Sequence, residues 1–448
     1  MNRRLRRASV FAAVAALAVI TPVLGEAAVV PYLVVAGAVF FGLREGPWFE
    51  TLALPGDRDD GRLYGIVAFT LAIGGLALFA SVPREPLPYG AFAAAALAVG
   101  AGRFGRELVR RRSDAEFPLV TGYLVVGATA AVIGQLLVAV QLAPTIVGGD
   151  GFESLVAGLP SFVFLASVAV LTAALVRSLV YDRDAHITVV IVAFVTWAFT
   201  ALDPTVTVVG IAGALAVTVA LGYVSYALGT ASVPGMLTGV LLSLLAVVLG
   251  GVGWFLTLIA FYAVGGLASK YRFDEKTERG VAQENQGARG TGNVLANSAV
   301  ALVALVGYAA TDHVDVPAAL FGFAFAGAIA TALADTLSSE IGGLYDGPRL
   351  ITTLKPVDPG TDGAVTWQGE VAGVVGGLVV AAIAAVGMPL GDPAVAGAIV
   401  VAAGVVGMTA DSLLGALIEG DRIGNQAVNF LATLSGAIAA IAIAAVVM

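Results

Sequence analysis

Cysteine is absent from the 448 residues, and histidine occurs twice, at His186 and His313. The first absence excludes disulfides, thiolate zinc sites and cysteine nucleophiles. Two histidines so distant in sequence argue against a Ser-His-Asp triad or a histidine-rich metal site. Lysine is scarce too. Lys270, Lys276 and Lys355 are the three in the chain, and every other basic residue is an arginine. Charged residues make up 12% of the chain against 59% hydrophobic, with a mean hydropathy of +0.95. Soluble domains carry about 25% charged residues, so this composition specifies an integral membrane protein. The net charge is −8. Acid-rich loops such as Asp57-Arg58-Asp59-Asp60 read as a solvated acidic surface suited to a high-salt cytoplasm. No nucleic-acid partner is expected.

A bilayer crossing takes about 20 apolar residues. Apolar stretches fall at 8–24, 27–43, 63–81, 89–102, 117–141, 154–176, 187–202, 204–222, 234–249, 252–268, 293–310, 317–334, 370–388, 393–410 and 427–447. The expected fold is an all-α polytopic transmembrane bundle of about 15 spans. Two joints are short: Asp203-Pro204 must turn the seventh span into the eighth, and Gly250-Gly251 the ninth into the tenth. Arg3, Arg4, Arg6 and Arg7 place the N-terminus in the cytoplasm. Alternating from there puts all 23 basic residues except Arg84 on the cytoplasmic side. The first 25 residues also fit a signal peptide, which leaves the sidedness of the rest unchanged.

The chain reads as two transmembrane halves, residues 1–228 and 229–448. The second carries long polar cytoplasmic segments at 269–292, 335–369 and 411–426, so function is expected on the cytoplasmic face of that half. Its most informative patch is Ala334-Asp335-Thr336-Leu337-Ser338-Ser339-Glu340. Carboxylates and hydroxyls there are costly unless they face a cavity or the membrane surface. A faint echo, Ala410-Asp411-Ser412-Leu413, ends another span on the same side. Two such helix ends can pinch one cation.

Asp335, Glu340 and Asp411 are therefore the expected metal ligands, and hard oxygens of this kind suit Mg²⁺. Ser338 and Ser339 share a helix face with Asp335. Glu340 lies about 140° round the helix, so it joins Asp335 if the helix ends or bends before Gly342-Gly343. Asp411 and Glu419 form a second pair, again on about one face. Lys270, Lys276, Arg279 and Arg289 can neutralise a nucleotide's phosphates. Gly287, Gly290 and Gly292 lead into the next helix, whose first amides would face an anion. No Walker A sequence is present. Lys355 sits in a Pro- and Gly-rich turn, with hydroxyls on both sides that suit a terminal phosphate. Asn293 with Asn297, and Asn425 with Asn429, are i,i+4 pairs that either bind substrate or join helices.

These motifs resemble a known family. Ala334 to Gly342, then Lys355, Gly360-Thr361-Asp362-Gly363-Ala364-Val365, Gly369 and Ala372-Gly373 carry the likeness, as do Gly280 to Glu284, Gly287 to Gly290, Asp411 to Gly415, Asn425 and Val428-Asn429. The pattern is similar to an integral membrane protein family whose plant members include phytyl-phosphate kinase. It covers about residues 230–448. The resemblance implies a nucleotide-dependent kinase, CTP-type or using another NTP, that converts an isoprenoid monophosphate to the diphosphate. Asp335, Lys355 and Asp411 would be its central residues, acting at the cytoplasmic face of the cell membrane. A transporter or flippase, and a lipid nucleotidyltransferase, are the competing readings. Oligomeric state is not legible.

Overall fold

The computed structural model describes residues 3–84, 86–142, 150–180, 184–283, 290–420 and 422–448. The chain forms two compact units, Met1–Ala212 and Gly213–Met448.

The first unit contains α1 (Arg3–Ala16), α2 (Thr21–Leu24), α3 (Val29–Gly42), α4 (Gly46–Leu52), α5 (Asp57–Asp60), α6 (Tyr64–Ala80), α7 (Tyr89–Val109), α8 (Glu116–Leu142), α9 (Asp150–Leu179) and α10 (Ala185–Leu202). At its centre is α7, packed by α1, α8, α9 and α10. Its run Ala91–Gly102 is wholly buried. An alanine-rich helix presents little bulk, so its neighbours approach closely on all sides. Asp57 is not part of a solvated acidic surface. It is fully buried, and its carboxylate accepts from the amides of Leu54 at 2.9 Å and Gly65 at 3.3 Å.

The boundary between units falls within α11 (Val208–Leu228). The second unit continues with α12 (Val233–Leu245), α13 (Val252–Lys270), α14 (Phe273–Glu278), α15 (Thr291–Ala309), α16 (Ala318–Gly342), α17 (Trp367–Gly387), α18 (Pro393–Ile418) and α19 (Asn425–Val447). A two-stranded antiparallel ladder, β1 (Arg349–Leu350) and β2 (Ala364–Val365), rises between α16 and α17. The central helix here is α16, surrounded by α13, α15, α17, α18 and α19.

The protein is an integral membrane helical protein, and each of the fifteen apolar stretches is helical over most of its length. Twelve helical stretches among the described residues are long and apolar enough to span a bilayer. The difference from fifteen has three sources. Arg3–Gly42 is one 40-residue stretch, bent by 3₁₀ turns at Leu17–Ile20 and Gly25–Ala28. Tyr64–Ala80 is short, at 17 residues. Arg103, Arg106 and Glu107 make the end of α7 polar. Both short joints do interrupt the helix. Asp203 takes a left-handed conformation with φ 43°. Gly251, at φ 90°, separates the π-helical turn Ala246–Gly250 from α13.

Candidate functional site: a carboxylate pair between parallel helices

The site is built from the packing of α16 against α18. A Cβ on Gly327 would meet the Ala403 Cβ at 3.3 Å, and one on Gly407 would stand 2.1 Å from Thr331 Oγ1. Such contacts exist because glycine lets the two backbones close in. Thr331 Oγ1 donates to Gly327 O at 2.9 Å and reaches across to Ala403 O at 3.4 Å. Gly327 faces Ala403 and Thr331 faces Gly407, so the contacts advance one turn at a time in the same direction. The two helices therefore run parallel. One further turn brings Asp335 opposite Asp411, close enough for the two carboxyl groups to act directly on one another. The motifs Ala334-Asp335-Thr336-Leu337 and Ala410-Asp411-Ser412-Leu413 are thus in register across one interface.

Both carboxylates open on a mainly polar cavity of about 370 Å³. Ser338, Ser339 and Ser412 line it beside them. The segment after α16 supplies another wall, with Thr361, Asp362, Gly363 and Thr366. Gly363 is required there on two counts. Its φ is +73°, and a Cβ would lie 2.5 Å from Ser412 O. Thr366 caps α17 by accepting from the Gly369 amide at 3.2 Å. Gly280, Val281 and Ala282 close a third side.

Asp335, Asp362, Asp411 and Glu419 all line the cavity, and no lysine or arginine lines it among the described residues. Glu419 lies just past the end of α18. Burial, and then the charge of Asp362, push its carboxyl above the ordinary range, while a hydrogen bond from Asn425 pulls the other way. Asp411 Oδ1 is buried with no hydrogen-bond partner among the described residues. No group of three or more histidines, aspartates and glutamates is poised to hold an ion among those residues. The donor set is thus one carboxylate pair. That fits Mg²⁺, which usually keeps several waters and binds through one or two carboxylates plus substrate phosphates.

The other expected site residues are distributed differently. Glu340 does not join Asp335, because α16 stays helical to Gly342 and carries Glu340 round to another face. It pairs instead with Lys276, Nζ to Oε2 2.5 Å, with the side chains 3% and 1% exposed respectively. Lys276 Nζ also donates to Ala268 O at 2.7 Å. Lys276 is thus a buried tether between α14 and α16, withdrawn from the cavity. Arg279 donates to Gly343 O at 2.9 Å and pairs with Asp346 at 2.7 Å, bracing the turn after α16. Asn297 donates to Asn293 O within its own helix, at 2.9 Å.

Asn425 lines the cavity and accepts from Asn429 Nδ2 at 3.2 Å. Lys270 ends α13, and Lys355 is exposed on the segment between β1 and β2; neither lines the cavity. Arg289 and Gly287 lie outside the described residues. Asp362, Tyr345 and Ser412 line the cavity although the sequence does not single them out as site residues. The signal for Asp362 was its place between two glycines in a turn, which suits a loop pressed onto a helix.

The second unit can be compared with known proteins. The model of the family "Integral membrane protein DUF92" matches residues 216–437. An uncharacterized membrane protein of Methanocaldococcus jannaschii is 34% identical over 195 residues, covering 42% of this chain and 75% of the relative. The chain belongs to this family. An uncharacterized membrane protein of Synechocystis is 31% identical over 206 residues, 44% of this chain and 78% of that relative. The chloroplastic protein VTE6 of Arabidopsis thaliana is 32% identical over 204 residues, 43% of this chain and 58% of VTE6. No solved structure matches the chain. The DUF92 match includes both Asp335 and Asp411.

Proposed function

We propose that the second unit is a membrane-embedded phosphotransferase that uses a nucleotide to phosphorylate an isoprenoid monophosphate, forming the diphosphate. The observation that carries this reading is the Asp335–Asp411 pair at the wall of a polar cavity that no lysine or arginine lines among the described residues. Four carboxylates around a cavity repel a triphosphate unless divalent cations enter with it. Asp335 and Asp411 would hold Mg²⁺, and bound there the ion would neutralise charge on the phosphate oxygens. Ser338, Ser339, Thr361 and Ser412, which line the same cavity, would hydrogen-bond those oxygens.

Phosphoryl transfer depends mostly on positioning and charge stabilisation. An oxygen of the acceptor phosphate bonds to the terminal phosphorus of the nucleotide, and the nucleoside diphosphate leaves. That acceptor is already an anion and needs no strong base, in keeping with the absence of histidine from the cavity lining. The likeness to the family with plant phytyl-phosphate kinase supports an isoprenoid substrate. The positive-inside distribution of arginines supports a site on the cytoplasmic face of the cell membrane.

The test is to incubate the purified protein with terminally labelled CTP or ATP, Mg²⁺ and a panel of prenyl phosphates. Label in a prenyl diphosphate is the expected result, and its loss in Asp335→Asn is required. Label released as pyrophosphate, with an unlabelled nucleotide–lipid adduct formed, would instead mean a nucleotidyltransferase. No turnover with any nucleotide would remove the kinase reading and favour transport.

A further inference from the structure

Gln135, on α8 of the first unit, is a polar side chain in an apolar place. It is 1% exposed, and hydrogen bonds fix its orientation. Nε2 donates to Ala131 O at 3.2 Å, within α8, and to Phe162 O at 2.9 Å, on α9. A carboxamide nitrogen carries two hydrogens, and both are used. The reversed amide would set its oxygen against those two carbonyls. Oε1 is therefore an acceptor left without a partner among the described residues, although buried polar atoms normally have one.

Gln135 lines a cavity of about 160 Å³ among α7, α8, α9 and α10. The walls are mainly apolar, with Phe162, Phe164, Leu165 and Phe199 among them. Phe164 and Phe199 meet edge to face, their ring centroids 5.7 Å apart. The walls are also tied together. The Gln135–Phe162 bond joins α8 to α9, and Thr196 Oγ1 donates to Ala91 O at 3.3 Å, joining α10 to α7. Thr200 lines the cavity too, and its Oγ1 already donates to Thr196 O at 2.8 Å. Its remaining capacity is as an acceptor. Asp203, just past α10 and exposed, marks the mouth. No lysine, arginine or histidine lines the cavity among the described residues to balance it.

The polar groups thus ask for donors and for positive charge. A metal ion would want several oxygen ligands, and here it would meet one carboxylate and hydrocarbon. Water clusters need polar walls, and apolar cavities stay dry. An ammonium group on an apolar body answers both halves of the lining. Its N–H groups can donate to Gln135 Oε1, the Asp203 carboxylate offsets its charge at the mouth, and aromatic rings attract cations. An apolar cavity of about 150 Å³ admits benzene, so the fitting body has about six or seven carbons.

We infer that this cavity is a binding site for a primary ammonium ion with a compact apolar body, an alkyl- or arylammonium. Arg103 and Arg106 lie towards the other end of α7, so the positive-inside rule puts the site at the non-cytoplasmic end of the unit. It lies wholly in the first unit and is independent of the kinase reading of the second.

The test uses the full chain purified in detergent, near neutral pH. The probe is benzylammonium chloride, with binding read by isothermal titration calorimetry. Benzyl alcohol supplies the same shape without the charge. Benzyltrimethylammonium supplies the charge without N–H donors. Benzylammonium should bind at least about tenfold more tightly than either, because charge-assisted hydrogen bonds are the strong ones. Asp203→Asn and Gln135→Leu should each weaken it by at least about tenfold. Asp114→Asn removes an exposed carboxylate past the other end of α7 and should match the wild type.

Asp203 is exposed, so Asp203→Asn reports on the site even if Gln135→Leu fails to fold. Asp335→Asn should bind benzylammonium as the wild type does, which separates this site from the cavity of the second unit. No binding of benzylammonium, equal affinity for either comparison compound, or wild-type affinity in Asp203→Asn would overturn the inference.

Discussion

Lys276 and Glu340 form an ion pair sealed inside the second unit, with the two side chains 1% and 3% exposed. Two lone charges in such a place are each strongly disfavoured, and each is tolerable because of the other. Residues that the sequence offers to phosphate and metal are thus occupied in joining α14 to the end of α16. Removing one partner should cost roughly 3–5 kcal/mol, whereas replacing both by apolar residues of similar size should be far milder. A double-mutant cycle of Lys276→Met and Glu340→Leu, followed by thermal unfolding, checks this. Additive losses would mean the pair is not coupled.

The carboxylate pair gives a different expectation. Mg²⁺ should raise the thermal stability of the wild type, by about 2.7 kcal/mol at one hundred times the dissociation constant. Asp335→Asn and Asp411→Asn should each abolish that increment, and the double variant should do no more. An increment surviving in both single variants would place the ion elsewhere.

Gly407 and Thr331 set the approach of the two helices that bear this pair. With a Cβ at 2.1 Å from Thr331 Oγ1, Gly407→Ala forces the helices apart. Overpacking of this kind costs about 1–3 kcal/mol. The same displacement should remove the Mg²⁺ response although no carboxylate has changed. Thr331→Ala in the Gly407→Ala background should recover part of both. Unchanged Mg²⁺ affinity in Gly407→Ala would show that the spacing does not matter.

Glu419 gives a pH signature. Its carboxyl is pushed above the ordinary value of 4.5 by burial and by Asp362. The folded chain therefore binds this proton more tightly than the unfolded chain. Its contribution to stability falls as pH rises through the interval from 4.5 to the raised value, and the penalty is complete above that interval. Glu419→Gln should then stabilise the protein at neutral pH, with an advantage that fades as the medium is acidified below the ordinary glutamate range. Unfolding of both forms across pH reads this directly. An advantage independent of pH would assign the effect to something other than charge.

The sequence made the helices legible because apolar length in a bilayer leaves few alternatives. Buried peptide groups must be satisfied within each segment, so fifteen apolar runs became helices whatever their neighbours. Where the count differs, as in Arg3–Gly42 and in the polar end of α7, the cause is local bending or local charge. Asp335 and Asp411 were legible through a repeated four-residue motif. Glu340, Lys276 and Asn297 misled because residue type fixes what a side chain can do, but not which face it occupies.

What the sequence determined alone is the membrane setting, the helices and the chemical inventory: carboxylates, few lysines, many arginines, no thiols. Partnership was decided by the tertiary structure. Whether a carboxylate meets a lysine or another carboxylate depends on helix rotation and on the approach that glycine permits. The chain's register does not encode either until α16 and α18 pack side by side.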